Sequence, residues 1–235
     1  MVCYRQFMAV IIQPDISLTS LLGPAIKDVG RMTIQKKPTL PGKLQRIEER
    51  RDHIIAAARL CFRQHGFHGS GMAEIAELSQ LSVGQIYRCF INKEAIIEEI
   101  VHRIVTHRVR LMLDNDNDLD RIADDLAGNR LWGDGEEELI NQALMMEVSA
   151  EATRNPRIAQ ILIDVDAIMF RQGCAMLQNA YPGMSHDDAA TLAELFAVLS
   201  EGTMLRILTQ QRQVKPEGLQ RLFRLIFSKV FPARM

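Results

Sequence analysis

Between Gly66 and Lys93 the chain gathers side chains suited to gripping a polyanion and reading the edges of bases. The carboxamide of Gln85 can donate and accept at adenine at once, and Ser82 and Val83 stand beside it where a short helix would begin. Ser70, Ser82, Tyr87, Arg88 and Lys93 can each donate to a phosphate oxygen, and Lys43 and Arg46 extend the positive charge upstream. Gly84 removes a side chain within this run, at a helix cost of ~1 kcal/mol against alanine, which suits a close approach of protein and DNA. Such groups read a duplex only from a fixed platform. Two short helices joined by a tight turn supply one, the second being slim enough to enter the major groove.

The surrounding pattern provides those elements. Apolar residues recur at three and four from Gly42 to Asn155, a stretch without proline, so the expected fold class is all-α, with an N-terminal three-helix helix-turn-helix domain before a larger helical domain. A first helix runs from about Leu44 to His65, with Ile47, Ile54, Ile55, Ala58, Cys61 and Phe62 on its inner face, and Gly66 ends it. Ser70 and Gly71 are candidate caps for a second helix to Ser79, Ser82 caps a third ending by Phe90, and Asn92 caps a long fourth to about Leu113. Further helices are expected near 118–128, 136–153, 157–180, 187–211 and 216–230, with Pro156, Pro182 and Pro216 between them. The segment 187–211 is apolar almost all round, which calls for a second partner surface. A second subunit meets that need, built on Leu195, Phe196, Leu199, Gly202 and Leu205.

The 235 residues, 47% hydrophobic and 24% charged, describe an ordered globular chain able to bury a large core. Its net charge of −1 hides a segregation: residues 1–110 carry 16 basic and 10 acidic side chains, residues 111–235 carry 12 and 19. One end is fit for a polyanion and the other is not. The four cysteines form no Cys-x-x-Cys pair, which excludes a zinc ribbon and fits a reducing cytoplasm, and no apolar run reaches the ~20 residues of a membrane span. Residues 1–41 read as an irregular extension, with Met32 a more usual-looking start. The expected division is then a helix-turn-helix DNA-binding domain over 42–92 and a larger helical domain over 93–235, connected by the helix 93–113.

The run Phe67-His68-Gly69-Ser70-Gly71-Met72-Ala73-Glu74-Ile75-Ala76, then Leu81-Ser82-Val83-Gly84-Gln85-Ile86-Tyr87-Arg88-Cys89-Phe90 and Asn92-Lys93-Glu94-Ala95, resembles the DNA-binding region of tetracycline-repressor (TetR) family transcriptional regulators. The resemblance covers about residues 44–100 and departs at Cys89, where the family commonly has His or Tyr, and at Ser70, which replaces the usual Thr. It implies a homodimer joined through its last two long helices, a duplex operator of pseudo-palindromic form, and a small-molecule effector in the C-terminal domain. The expected function is a ligand-responsive regulator, a repressor released from its operator by a small, predominantly apolar molecule, with a cationic one admitted. A constitutive DNA-binding or architectural protein without an effector is the alternative. The adaptable apolar side chains Trp132, Met146, Met169, Phe170 and Cys174, with Glu147 to orient a ligand, are the candidate pocket.

Other chemistries fit less well. The Gly66-x-x-Gly69-x-Gly71 cluster follows a helix and lacks the strand of a dinucleotide fold. Asp114, Asp116 and Asp118 imitate a calcium loop but lack glycine at its sixth position and glutamate at its twelfth. Cys61, His65 and His68 are too few for a metal site, and no nucleophile comes with a base at recognisable spacing. The expectation is a non-enzyme without metal or cofactor.

Overall fold

The protein is described from a computed structural model, in which residues 42–114 and 118–231 are placed, Lys43 and Leu44 by their backbone alone. The chain falls into two units, Met1–Gln45 and Arg46–Met235, and of the first only the start of a helix is described. Among the described residues every regular element is helical: α1 Gly42–Gly69, α2 Met72–Leu78, α3 Val83–Cys89, α4 Lys93–Leu113, α5 Leu119–Gly128, α6 Glu136–Ala152, α7 Pro156–Ala180, α8 His186–Leu208 and α9 Pro216–Val230. The all-α expectation and its order of elements hold.

Polar caps set most of these boundaries. Asn92 accepts from the Ala95 N–H to open α4, Asp118 from Asp120 and Arg121 to open α5, Asn155 from Arg157 and Ile158 to open α7, and Ser185 from Asp188 to open α8. Each cap satisfies amides that the first helical turn leaves without partners. Pro156 and Pro216 take the first helical positions, where a missing N–H costs nothing. Helix α1 is kinked where it was expected to stop, since Gly66 has φ of +68°. The expected Ser70 cap is absent: α2 starts from Gly71 without a side-chain bond.

Two apolar cores hold the unit together. The first joins Ile54, Ala58, Cys61 and Phe62 of α1 with Ile75, Ile86, Phe90 and the α4 stripe Ile96, Ile97, Ile100, Val101 and Ile104, and it continues into Leu144, Val148, Ile158 and Val165. Packing therefore crosses from the N-terminal helices into α6 and α7 without a gap. Ile47, expected on the inner face, is 41% exposed because it precedes the part of α1 that this core covers. The second core gathers Ile122 and Leu126 of α5 with Cys174, Leu177, Leu192, Phe223, Phe227 and Phe231. Burying each phenylalanine contributes about 1.5–3 kcal/mol, so this aromatic layer fixes α9 against α5.

Candidate nucleic-acid interface and effector cavity

Helices α2 and α3 meet through Ser79, Gln80 and Leu81. Gln80 takes the left-handed conformation, φ +54°, and the Leu81 N–H donates to the Ala76 carbonyl, 3.0 Å, which turns the chain sharply. Ile86 points into the core at 0% exposure and the opposite face of α3 is bare. Val83, Tyr87 and Arg88 are exposed on it, and a Cβ added to Gly84 would meet nothing within 4 Å. Among the described residues nothing requires glycine there, and helix propensity disfavours it.

Gln85 is held differently from its expected role. Ser82 and Gln85 form a reciprocal capping box: the Gln85 N–H donates to Ser82 Oγ, 3.3 Å, and Gln85 Oε1 accepts from the Ser82 N–H, 2.8 Å. A bidentate contact to adenine would have to share or release that acceptor. Arg88 Nε reaches the Gly84 carbonyl, 3.3 Å, in an exposed position, while Arg46 and Arg50 are exposed upstream. The Lys43 side chain, like Lys36 and Lys37, lies outside the described residues.

Two of the expected phosphate donors are used inside the fold. Ser70 is 1% exposed and its hydroxyl donates to the Gly66 carbonyl, 2.9 Å, so it faces away from solvent. Lys93 Nζ donates to the carbonyls of Phe67, 2.6 Å, and Ser70, 2.9 Å, and lies 4.2 Å from the Phe67 ring centre. The turn between α1 and α2 has carbonyls with no helical partners, and this cation gathers them. A second lock escaped the sequence reading. Arg51 donates to the Cys89 carbonyl, 3.0 Å, and to Glu99, 2.7 Å, and stacks over Phe90, 4.4 Å from its centre. Burial alone would push the Glu99 carboxyl up, but the Arg103 hydrogen bond and the charge of Arg51 outweigh it and hold the group below its ordinary range.

Helix α6 clamps the other side of α1. Glu147, expected in a ligand pocket, instead accepts from the Phe67 N–H, 2.8 Å, just past the Gly66 kink, and a Cβ on Gly66 would lie 2.8 Å from its Oε1. Arg59 on α1 donates to Asn141, 2.7 Å; Asn141 donates to Glu138, 3.1 Å; and Glu138 accepts from Arg108 on α4, 3.2 Å. Glu138 and Asn141 are buried, and the Arg108 guanidinium lies 5.4 Å from the Trp132 ring centre. Burial pushes the Arg108 pKa down while Glu138 opposes that shift. A polar chain thus runs from Trp132 to α1. Its members are up to 82 residues apart, so no local pattern in the sequence signals it.

At the other end of that chain is a cavity of about 120 Å³ between α4, α5, α7 and α8. Trp132, Met169 and Phe170 line it with Leu111, Met112 and Met176, and so do the carboxylate-bearing Asp166 and Glu194. Three expected pocket residues stand elsewhere: Glu147 at the α1 kink, Cys174 in the second core, and Met146 away from the cavity lining on α6. Among the expected interface residues Phe196 turns inward, lining the cavity and packing on Phe227, 5.1 Å, because the α9 phenylalanines approach on that side. Leu195 and Leu199 are partly buried against the second core. Gly202 and Leu205 are exposed, as are Val198 of α8 and, on α9, Leu222 and Leu225, the last two not singled out from the sequence. Among the described residues no three metal-ligating side chains come together, and no helix is long and apolar enough to cross a membrane.

Comparisons with known proteins converge on this arrangement. Residues 54–100, from the middle of α1 into α4, match the family described as bacterial regulatory proteins, tetR family. The HTH-type transcriptional regulator UidR of Escherichia coli (strain K12) is 30% identical over 120 residues, 48% of this chain and 56% of its own, so the chain spans little more than half the length of that relative. Salmonella enterica GusR superposes with a TM-score of 0.64 at 23% identity, over 77% of this chain and 95% of its own. A transcriptional regulator from Rhodococcus sp. Rha1 superposes at 0.60 and 17% identity, over 77% and 95%. The two superpositions establish the shared helical fold. Residues 54–100, which contain the two short helices and the start of α4, are thus similar to the tetR family of bacterial regulatory proteins.

Proposed function

We propose that the chain is a transcriptional repressor that docks as a homodimer on a pseudo-palindromic duplex operator and is released when a small molecule with a predominantly apolar body fills the cavity beside Trp132. The observation that carries this reading is the bare face of α3, where Val83, Tyr87 and Arg88 flank a glycine that no contact among the described residues explains. A close external surface explains it. The DNA-binding domain is residues 42–92, and the larger domain over 93–235 binds effector and partner subunit.

Exposed apolar side chains on α8 and α9 support the dimer: Val198, Leu205, Leu222 and Leu225 are each 45–58% exposed. The cavity supports an effector, whereas a fully packed domain would have favoured a constitutive DNA-binding protein. Helix α4 gives the coupling a route. Its C-terminal Leu111 and Met112 wall the cavity, and its N-terminus follows α3 after Phe90, Ile91 and Asn92. A ligand that displaces one end tilts the other, and two recognition helices must match half-sites about one DNA turn, ~34 Å, apart. The chain from Arg108 to Arg59 offers a second route to the same domain.

The test is a titration of fluorescent duplexes from the chain's own locus at stepped salt. Binding whose logarithm falls linearly with log salt is expected, with at least a tenfold loss in Tyr87→Ala/Arg88→Ala. Equal affinity of wild type and this double variant would sink the reading. Leu225→Glu is expected to yield monomers that lose operator binding; a dimeric Leu225→Glu protein would remove α9 from the interface.

A further inference from the structure

The cavity's shape and its charge tell different stories. Most of its wall is apolar, from Leu111, Ile122, Leu131, Met169, Phe170 and Phe196. Asp166 of α7 and Glu194 of α8 interrupt that wall and reach solvent, so both carboxylates belong to the mouth. Among the described residues neither is in an ion pair. Glu201, two turns along α8 from Glu194, feels them both: burial pushes its carboxyl up, and Asp166 and then Glu194 push it further, against the pull of Arg108. Arg108 opposes this field only in part, because its charge is already matched by buried Glu138 and its guanidinium lies 5.4 Å from the Trp132 ring centre. An aromatic wall and uncompensated negative charge therefore meet at one opening.

We propose, resting on the reading of this cavity as the effector site, that the effector is an organic cation with an apolar body of about one ring and a quaternary or protonated ammonium held between Asp166 and Glu194. The size follows from the volume: about 120 Å³ is close to the ~150 Å³ of an engineered apolar cavity that admits benzene. The charge follows from what each alternative would meet. An anion entering the mouth faces two carboxylates that, among the described residues, are in no ion pair and whose field Arg108 relieves only in part. A neutral molecule covers the same carboxylates, strips part of their hydration and returns nothing for it. A cation neutralises them and can also lie against the faces of Trp132 and Phe170.

Trp132 is the only tryptophan in the chain, so its fluorescence reports on this site alone. Three probes of similar size separate the possibilities: benzyltrimethylammonium, its uncharged carbon isostere neopentylbenzene, and phenylacetate, each titrated into the full chain with Trp132 emission and calorimetry as readouts. The expected result is binding of benzyltrimethylammonium at least about tenfold tighter than neopentylbenzene, with phenylacetate weakest. In Asp166→Asn/Glu194→Gln the order of cation and phenylacetate is expected to reverse. That variant removes unpaired like charges and keeps side-chain volume, so it folds; its melting temperature verifies this. Neopentylbenzene or phenylacetate binding as tightly as the cation, or an unchanged preference in the variant, overturns the cation assignment and leaves the cavity as an effector site. No binding by any of the three overturns the effector site itself.

Discussion

A methyl group added at Gly84 separates folding from DNA binding more cleanly than any deletion. The residue is helical, its Cβ direction is open for 4 Å, and no left-handed backbone demands glycine. Gly84→Ala therefore strains nothing in the free protein and gains helix propensity. The full interior gain is ~1 kcal/mol, but Gly84 is the second residue of α3, where the helix is less constraining, so about 0.5 kcal/mol is expected. For a chain of this size that raises the melting temperature by about 1–2 °C. On the operator the same methyl group enters the space between α3 and the DNA, and an overpacked contact costs about 1–3 kcal/mol, a loss of roughly 5- to 150-fold in affinity. Scanning calorimetry and fluorescence anisotropy on one preparation measure both effects. Gain of stability with loss of binding is the predicted pair. Unchanged affinity would mean that α3 does not present this face to DNA, and lost stability would mean that the position is not open.

Three further outcomes follow from the contacts. Lys93→Met removes two charge-assisted bonds to the carbonyls of Phe67 and Ser70 and is expected to cost about 2–4 kcal/mol in a urea melt, with the salt slope of DNA binding unchanged; intact stability with a slope reduced by about one would return Lys93 to phosphate contact. Asn141→Ala cuts the link between Glu138 and Arg59 and is expected to leave benzyltrimethylammonium binding at Trp132 intact while weakening its effect on operator affinity, which anisotropy with and without the cation measures; an undiminished effect would remove this chain from the coupling. Glu99 has a folded-state pKa below its ordinary value of 4.5, so its contribution to stability is present above that value and is lost as pH falls through the lower, folded-state one. Glu99→Gln is expected to flatten the stability profile below about pH 4.5, and an acid limb as steep as that of wild type would contradict the Arg51 lock.

Helix boundaries were legible because local chemistry sets them. Asn92, Asn155-Pro156, Ser185 and Pro216 cap or start helices within three residues of themselves, and a short window contains everything needed to see it. The bare face of α3 was legible for the same reason, through Gly84 and the apolar spacing around Ile86. Residue type misled where a side chain's partner was non-local. A serine and a lysine near a recognition helix suggest phosphate, yet Ser70 and Lys93 hold a turn whose carbonyls come together only after α1 and α4 pack. Glu147 was noticed as a carboxylate in an apolar helix, and its partner, the Phe67 amide, lies 80 residues away. Helix α8 is apolar almost all round, so periodicity could not say which of its sides faces the core. The phenylalanines of α9 claim Phe196 and leave Val198 and Leu205 exposed, which no window of the sequence around α8 contains.

The central claim is that the exposed face of α3 reads a paired duplex site. Selection of bound duplexes from a random-sequence pool by the wild-type chain, repeated with Tyr87→Ala/Arg88→Ala, tests it most directly. The account predicts enrichment of inverted half-sites whose centres lie about one helical turn, or a multiple of it, apart, and loss of that enrichment in the variant. No enriched sequence with the wild type, or the same half-sites selected by the variant, would contradict it.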